Sequence, residues 1–288
     1  MTVSLESASP SLAGVAAGEP KARLQVGRAG RLAQRLSWER VAGEVKDFSA
    51  APSTLYYRAC EIALIRRAVG SLAGKRMLKL DLWNEAFNTR ILHWARAQGA
   101  EAFGLDHSVV VSSKAKANGR RESAETRLVR ADIRELPFPD ESFDFLYTMG
   151  TIEHIDEYRQ AVAECHRVLR PGGRAVIGVP DRWNLFLRPL MVEIMTRLGA
   201  YLYAPEKSFS ERELRGVVEG AGFRVVERSG VLTIPGPLRM FDLFCHTRRL
   251  PARLLQRALV APFHFAELRW PALGRFGYLM ALTVERPA

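Results

Sequence analysis

The chain has 288 residues, enough to bury a full core as one large or two small domains. Its apolar fraction of 48% and charged fraction of 25% are those of an ordinary globular protein, and no apolar run reaches the ~20 residues of a membrane span. The formal net charge is +11, of which +6 falls in residues 181–288, where 16 Lys and Arg face 10 Asp and Glu. Such an excess reflects a solvated arginine-rich surface or marks an anionic partner. No basic run is interleaved with aromatic residues as a single-strand groove requires, so a nucleic-acid partner is not expected. Cys60, Cys165 and Cys245 lie far apart and form no metal-type spacing. They read as buried thiols in a reducing compartment, and with no secretory signal pattern the expected location is cytoplasmic.

Residues 1–20 are rich in Ser, Ala, Gly and Pro and are expected to be disordered. Residues 21–47 set five arginines from Arg23 to Arg40 among Leu24, Val26, Leu32, Leu36 and Trp38. They read as amphipathic helical pieces that either cap the main domain or lie on a membrane surface. Together 1–50 form an expected basic extension, with the main domain at 51–288. A break at Ala51-Pro52 precedes an expected helix over Leu55–Val69, with Ser53 or Thr54 as its cap.

The first strand is expected at about Arg76–Leu82, followed by a helix over Asn88–Gln98. Ala102–Asp106 reads as a second strand and Thr126–Ala131 as a third, with a polar, loop-like stretch over 114–125 between them. Phe143–Met149 is a fourth strand, followed by Gly150. A helix over Asp156–Leu169, a stop at Arg170-Pro171-Gly172-Gly173 and a fifth strand over Arg174–Val179 come next. Repeated strand–helix units specify a parallel sheet with helices on both faces, and ligands gather at the carboxyl ends of its strands. Residues 182–205 are densely apolar and read as a helical cap or insertion. A capped helix begins at Ser210 with Glu213 three residues on, Phe223–Val231 is a strand, 233–275 is a second insertion, and Tyr278–Val284 is the last strand.

Three acids, Asp81, Asp106 and Asp132, fall at the ends of three successive strands. Each alone could cap the turn that follows it. Side by side along one sheet edge they form a set of acceptors for an amine, a ribose diol and an exocyclic amine. His154 follows the fourth strand. It either serves as a general base for a hydroxyl or amine nucleophile or merely starts the next helix. The remaining histidines show no ligand spacing, so no metal is expected. Tyr147 reads as core.

Taken in order, Gly104-Leu105-Asp106, Ala131-Asp132-Ile133, Leu136-Pro137-Phe138-Pro139, Ser142-Phe143-Asp144, Thr151-Ile152-Glu153-His154-Ile155, Arg167–Gly173, Glu213-Leu214 and Ala221-Gly222-Phe223 carry a likeness. Over most of 76–231 the chain resembles the class I S-adenosylmethionine-dependent methyltransferases of the small-molecule type. The resemblance implies an α/β, Rossmann-like fold: a mostly parallel seven-stranded sheet flanked by helices, with one reversed strand, the last, at its edge. It implies S-adenosyl-L-methionine as cofactor and a small-molecule acceptor, which the apolar cap makes apolar or lipid-like, with peripheral membrane contact as a further option. Asp106 would accept from the ribose hydroxyls, and Asp132 would take the adenine amine with Ile133 against the ring. Asp81 would sit near the methionine amine, and Met149 and Gly150 would line the cofactor near its sulfonium. The family's glycines after the first strand have no counterparts here, because Trp83, Glu85 and Phe87 occupy their places. That departure motivates a rival reading, a methyltransferase-fold partner subunit or scaffold that does not methylate.

Overall fold

The computed structural model describes residues 38–122, 127–186, 188–197 and 206–288. The disorder expected for 1–20 and most of the amphipathic stretch 21–47 lie outside them. The strands are β1 (Arg76–Leu80), β2 (Glu101–Asp106), β3 (Arg127–Arg130), β4 (Phe143–Met149), β5 (Leu169–Pro180), β6 (Arg224–Val231) and β7 (Leu279–Glu285). They form one seven-stranded sheet in the order β3-β2-β1-β4-β5-β7-β6. The order turns back between β1 and β4, which opens a crevice above their carboxyl ends. Pairings are parallel from β3 to β5, while β7 runs antiparallel to both its neighbours.

The reversed strand is the last one, as expected, but it is not at the edge. It lies between β5 and β6, and the reason is in its composition. Leu279 to Val284 is buried on both faces, which suits an interior strand, while β6 carries Arg224, Glu227 and Arg228 and tolerates the rim.

Helices cover both faces. One face packs on α2 (Pro52–Val69), α4 (Ile91–Ala97), α5 (Val109–Arg121) and α10 (Arg253–Arg269), through residues such as Leu64, Leu92, Val111 and Val260. The other packs on α6 (Tyr158–Val168) and α8 (Glu211–Gly220), through Val162, Cys165, Leu214 and Val218. A short helix, α3 (Trp83–Phe87), fills the β1–α4 connection. The apolar stretches expected as cap or insertion contain α7 (Arg188–Arg197), α9 (Gly236–Thr247) and α10, closed by a 3-10 turn at Pro271–Phe276. No described helix is long and apolar enough to cross a membrane.

Several local expectations are corrected. Helix α2 begins at Pro52, and neither Ser53 nor Thr54 caps it with a side chain. The Ser53 N–H instead donates to Asp242 Oδ2 on α9 at 2.8 Å, so a distant carboxylate does the work of a cap. In the stretch 114–125, expected as a loop, residues 114–121 are helical: α5, capped by Ser108, runs to Arg121. It packs through Ala115, Asn118 and Gly119, too small to leave an apolar signature. The Arg170–Gly173 stop is part of β5, which starts at Leu169 directly after α6. The Ser210–Glu213 capping box forms as expected. Residues 38–44, within the expected extension, are helical (α1), with Ala42 fully buried in the core.

Candidate active site

Asp81 follows β1, Asp106 closes β2, Asp132 lies just past β3, and Met149 ends β4 with Gly150 directly after it. With Ile133 and His154 they line one continuous cavity of about 1240 Å³. All seven residues singled out in the sequence therefore meet at one place.

The glycine-free loop solves its backbone problem by avoiding a glycine-type turn. Trp83–Phe87 closes into the helical turn of α3, and none of its residues has a positive φ. The left-handed conformations fall on Asp81 (φ 62°) before it and Arg90 (φ 54°) after it. Asp81 lies just past β1, which ends two residues earlier than expected, and is held from several sides. Thr151 Oγ1 donates to its Oδ2 at 2.6 Å, the Trp83 N–H donates to its Oδ1 at 3.1 Å, and Lys79 Nζ donates to its carbonyl oxygen at 2.7 Å. Asn118 Nδ2 donates to the Glu85 and Ala86 carbonyls at 3.0 Å each, which fixes the carboxyl end of α3.

Glu85 does not present its charge to the cavity. It is fully buried, accepts from the Leu92 N–H at 3.0 Å, and lies 3.7 Å from Lys79 Nζ. Lys79 is equally buried. Burial alone would lower its pKa, but Asp81, Glu85 and Glu61 outweigh burial and hold it above the ordinary value. Below the cavity, Tyr147 donates to Glu61 Oε1 at 2.6 Å. Burial raises the Glu61 pKa from 4.5 to about 7, against the pull of neighbouring hydroxyls and the Lys79 ammonium. Tyr147 is core, as expected, and also a partner in this buried polar floor.

Asp106 accepts from the Leu82 N–H and the Ser108 N–H at 2.8 Å each, tying β2 to the β1 turn. Burial raises its pKa, partly offset by those two backbone donors. Asp132 meets a different partner. Arg134 grips it with Nε to Oδ1 at 2.8 Å and Nη2 to Oδ2 at 2.6 Å, and reaches Glu157 at 2.7 Å. Burial would raise the Asp132 pKa, but Arg134 reverses this and lowers it. Met149 has room because residue 178 on the neighbouring strand is glycine, whose missing Cβ would overlap Met149 Sδ. Gly150 turns the chain with φ 79°.

His154 sits in a 3-10 turn at the cavity wall, its Nε2 3.9 Å from Glu153 Oε1. Trp38 of α1 lies edge-on to the His154 ring (centroids 5.0 Å) and to Trp83 (5.6 Å). Glu153 is buried, and burial pushes its carboxyl well above the usual range. Arg188 of α7 pairs with Glu206 close by. Glu153, His154 and Glu206 bring ligand-type atoms within 4.8 Å of one another, a grouping that chain spacing did not suggest. Apolar lining comes from Met191 and Met195 of α7, Met240 and Leu243 of α9, and Tyr278 and Leu279, with Arg188 and Arg239 from the same two helices among them.

Sequence reasoning missed Trp38, Glu61, Lys79, Arg134 and Glu206. A lysine inside the apolar run Met77–Leu80 and a glutamate inside the apolar stretch of α2 were readable signals of a buried ionic floor. The others come from segments whose approach is decided by the fold.

Comparison with known proteins agrees with this geometry. Residues 86–177 match the methyltransferase domain family. The demethylmenaquinone methyltransferase of Thermus thermophilus is 31% identical over 184 residues, covering 58% of this chain and 80% of that protein. The ubiquinone/menaquinone biosynthesis C-methyltransferase UbiE of Geobacter sulfurreducens is 30% identical over 139 residues, covering 42% of this chain and 54% of that protein. The solved structure of an S-adenosylmethionine-dependent methyltransferase from Mesorhizobium loti shares the fold with a TM-score of 0.54 at 17% identity, covering 79% of this chain and 98% of that one. With its strand-end acids gathered in one crevice and a relative matched over four fifths of its length, the chain belongs to the class I S-adenosylmethionine-dependent methyltransferases.

Proposed function

We propose that this methyltransferase acts on a large, mostly apolar acceptor of the quinol type. The observation that carries the reading is the shape of the cavity. At about 1240 Å³ it exceeds the roughly 300–1,000 Å³ typical of a single small-ligand pocket, and its lining joins the strand-end acids to methionine and leucine side chains from α7 and α9. The names of the relatives point to quinones as acceptors of the same character.

The residues at the strand ends fit the cofactor. Asp106 keeps lone pairs on both oxygens after accepting from Leu82 and Ser108, enough for two ribose hydroxyls. Asp81, with Asn84 and Tyr57 at the same wall, offers acceptors to an ammonium group. Asp132 has Arg134 on both oxygens and can give an adenine amine its remaining lone pairs, with Ile133 as the apolar wall. Met149 and Gly150 close the floor beside β4. Bound S-adenosylmethionine supplies an electrophilic methyl group on a sulfonium.

In this reading His154 takes the phenolic proton of the acceptor, which makes the neighbouring ring carbon nucleophilic. Trp38 and Trp83 shield the place where this happens and keep water out. The helices α7 and α9 form the cap that holds the rest of the acceptor, and orientation supplies much of the rate.

The test is methyl transfer from isotopically labelled cofactor to a short-chain demethylmenaquinol, followed by mass spectrometry. Labelled methyl on the quinol ring, lost in His154→Ala while cofactor binding persists, is the expected result. Methylation of small polar amines with none of any quinol tried, by protein that binds the cofactor, would overturn the choice of acceptor.

A further inference from the structure

Helix α10 carries apolar side chains on its exposed side as well as its buried one. Its exposed side carries Leu254, Ala258, Ala261, Phe265 and Leu268, spaced four, three, four and three residues apart, the spacing of an apolar stripe on one helix face. Leu254 is 82% exposed and Phe265 69%. Its glutamine and its glutamate face inward, while Arg253, Arg257 and Arg269 stay outside. Gln256 is buried and donates to Asp242 Oδ1 at 2.8 Å, and buried Glu267 accepts from the Leu232 N–H at 2.9 Å and the Thr233 N–H at 2.7 Å. A helix that faces only water keeps its large apolar residues on the buried side, so the outer stripe is shaped for something apolar.

Charge says what that is. Residues 236–276 contain seven arginines and two acids, Asp242 and Glu267, and both acids are buried. Arg248, Arg249, Arg253, Arg257, Arg269 and Arg275 are exposed, and among the described residues none of them makes an ion pair with a carboxylate. Arg269 lies over Trp270, itself 53% exposed, at 5.7 Å. Apolar side chains set among such arginines, with tryptophan at the border, suit the interface of an anionic bilayer. A second copy paired through the same face would set six arginines against six. Residues 1–37, with five basic and two acidic residues, carry the same sign and do not complement it either.

The surface leads into the active site. Helix α9 joins α10 through 248–252, and its exposed Met240 and Phe244, together with Arg248, also line the cavity. We propose that α9 and α10 form a docking surface for an anionic lipid bilayer, lying in its interface and opening the cavity to it. The docking rests on this surface alone. Its use, delivery of an apolar acceptor from the membrane, rests on the function proposed above.

Sedimentation of the full-length protein with phosphatidylcholine vesicles, with and without phosphatidylglycerol, separates the two. No cofactor or acceptor is present, so failure here leaves the acceptor question untouched. The protein is expected to pellet with the anionic vesicles and to be released by salt. Arg249→Gln, Arg253→Gln and Arg257→Gln together should weaken partitioning roughly 100-fold, since each cation near such a surface contributes about fivefold. Leu254→Gln with Phe265→Gln should weaken it at least about tenfold, without changing the melting temperature or the turnover of a water-soluble acceptor, because both side chains already face solvent. Protein that stays in the supernatant at low salt overturns the proposal. So does binding that ignores both sets of substitutions, or a dimer in solution that the Leu254 and Phe265 changes convert to monomer.

Discussion

Replacing Glu61 by glutamine should make the protein more stable above neutral pH. Glu61 is fully buried under the cavity, and burial is the largest influence on its carboxyl, taking it from 4.5 to about 7. A raised carboxyl pKa means that the folded state holds its proton more tightly than the unfolded chain. This contribution to stability is complete below about pH 4.5 and is lost as pH rises through about 7. Each pH unit between the two values is worth about 1.4 kcal/mol, so folding forfeits about 3 kcal/mol across that window. The amide in Glu61→Gln would keep an oxygen for the Tyr147 hydroxyl, which now donates at 2.6 Å, and carries no charge to desolvate. Denaturant unfolding at a series of pH values from about 5 to 9 is the assay. The wild-type midpoint should fall between about pH 5 and 8 more steeply than that of Glu61→Gln, and the two curves should part by about 3 kcal/mol at the alkaline end. Parallel curves would refute the reasoning, because they would mean that Glu61 is ionised at no cost or that Lys79 neutralises it fully.

Asp106→Ala should raise the cofactor dissociation constant at least about tenfold in calorimetry on protein that circular dichroism shows to be folded, since a buried charged acceptor is lost. An unchanged constant would remove Asp106 from the cofactor site. Trp38→Ala should raise the KM for the acceptor by about tenfold with little change in cofactor affinity, because two aromatic contacts over His154 and Trp83 disappear. Glu39 accepts from the Ser108 hydroxyl and from the Val109 and Val110 N–H groups at the start of α5, so Glu39→Ala should cost about 1 kcal/mol in a denaturant titration. That stabilisation should fade as pH falls, because burial, which raises the Glu39 pKa, is outweighed by those donors, and the folded-state value lies below 4.5. Cys60, Cys165 and Cys245 are buried, and burial raises the first two thiols well above their ordinary range, so native protein should react with a thiol reagent only as fast as it unfolds.

The sequence by itself determined the seven strands, because most are short apolar runs and the rim strands β3 and β6 mix apolar with charged residues, patterns that can be read without knowing the neighbour. It also determined that Asp81, Asp106 and Asp132 share one edge, since parallel strands joined by helices must all point their carboxyl ends the same way. The capping box at Ser210 was readable for a related reason: both partners lie within one turn. What the tertiary structure decided is everything that depends on residues far apart in the chain. The α2 terminus is held by Asp242, 189 residues away, so no local rule could predict it. The later turns of α5 were hidden because their contact side is Ala115, Asn118 and Gly119, and those residues become informative only once α3 is placed against them. The position of β7 within the sheet follows from pairing on both sides, which chain order leaves open. The loop Trp83–Phe87 is the clearest case. A local reading sees three bulky residues where glycine is expected. The fold gives the left-handed turn to Asp81, buries Glu85 on Lys79 and anchors the helical turn through Asn118. Local patterns fix which residues prefer strand or helix, but a strained turn or a buried charge is tolerated only where partners arriving from elsewhere in the chain satisfy it.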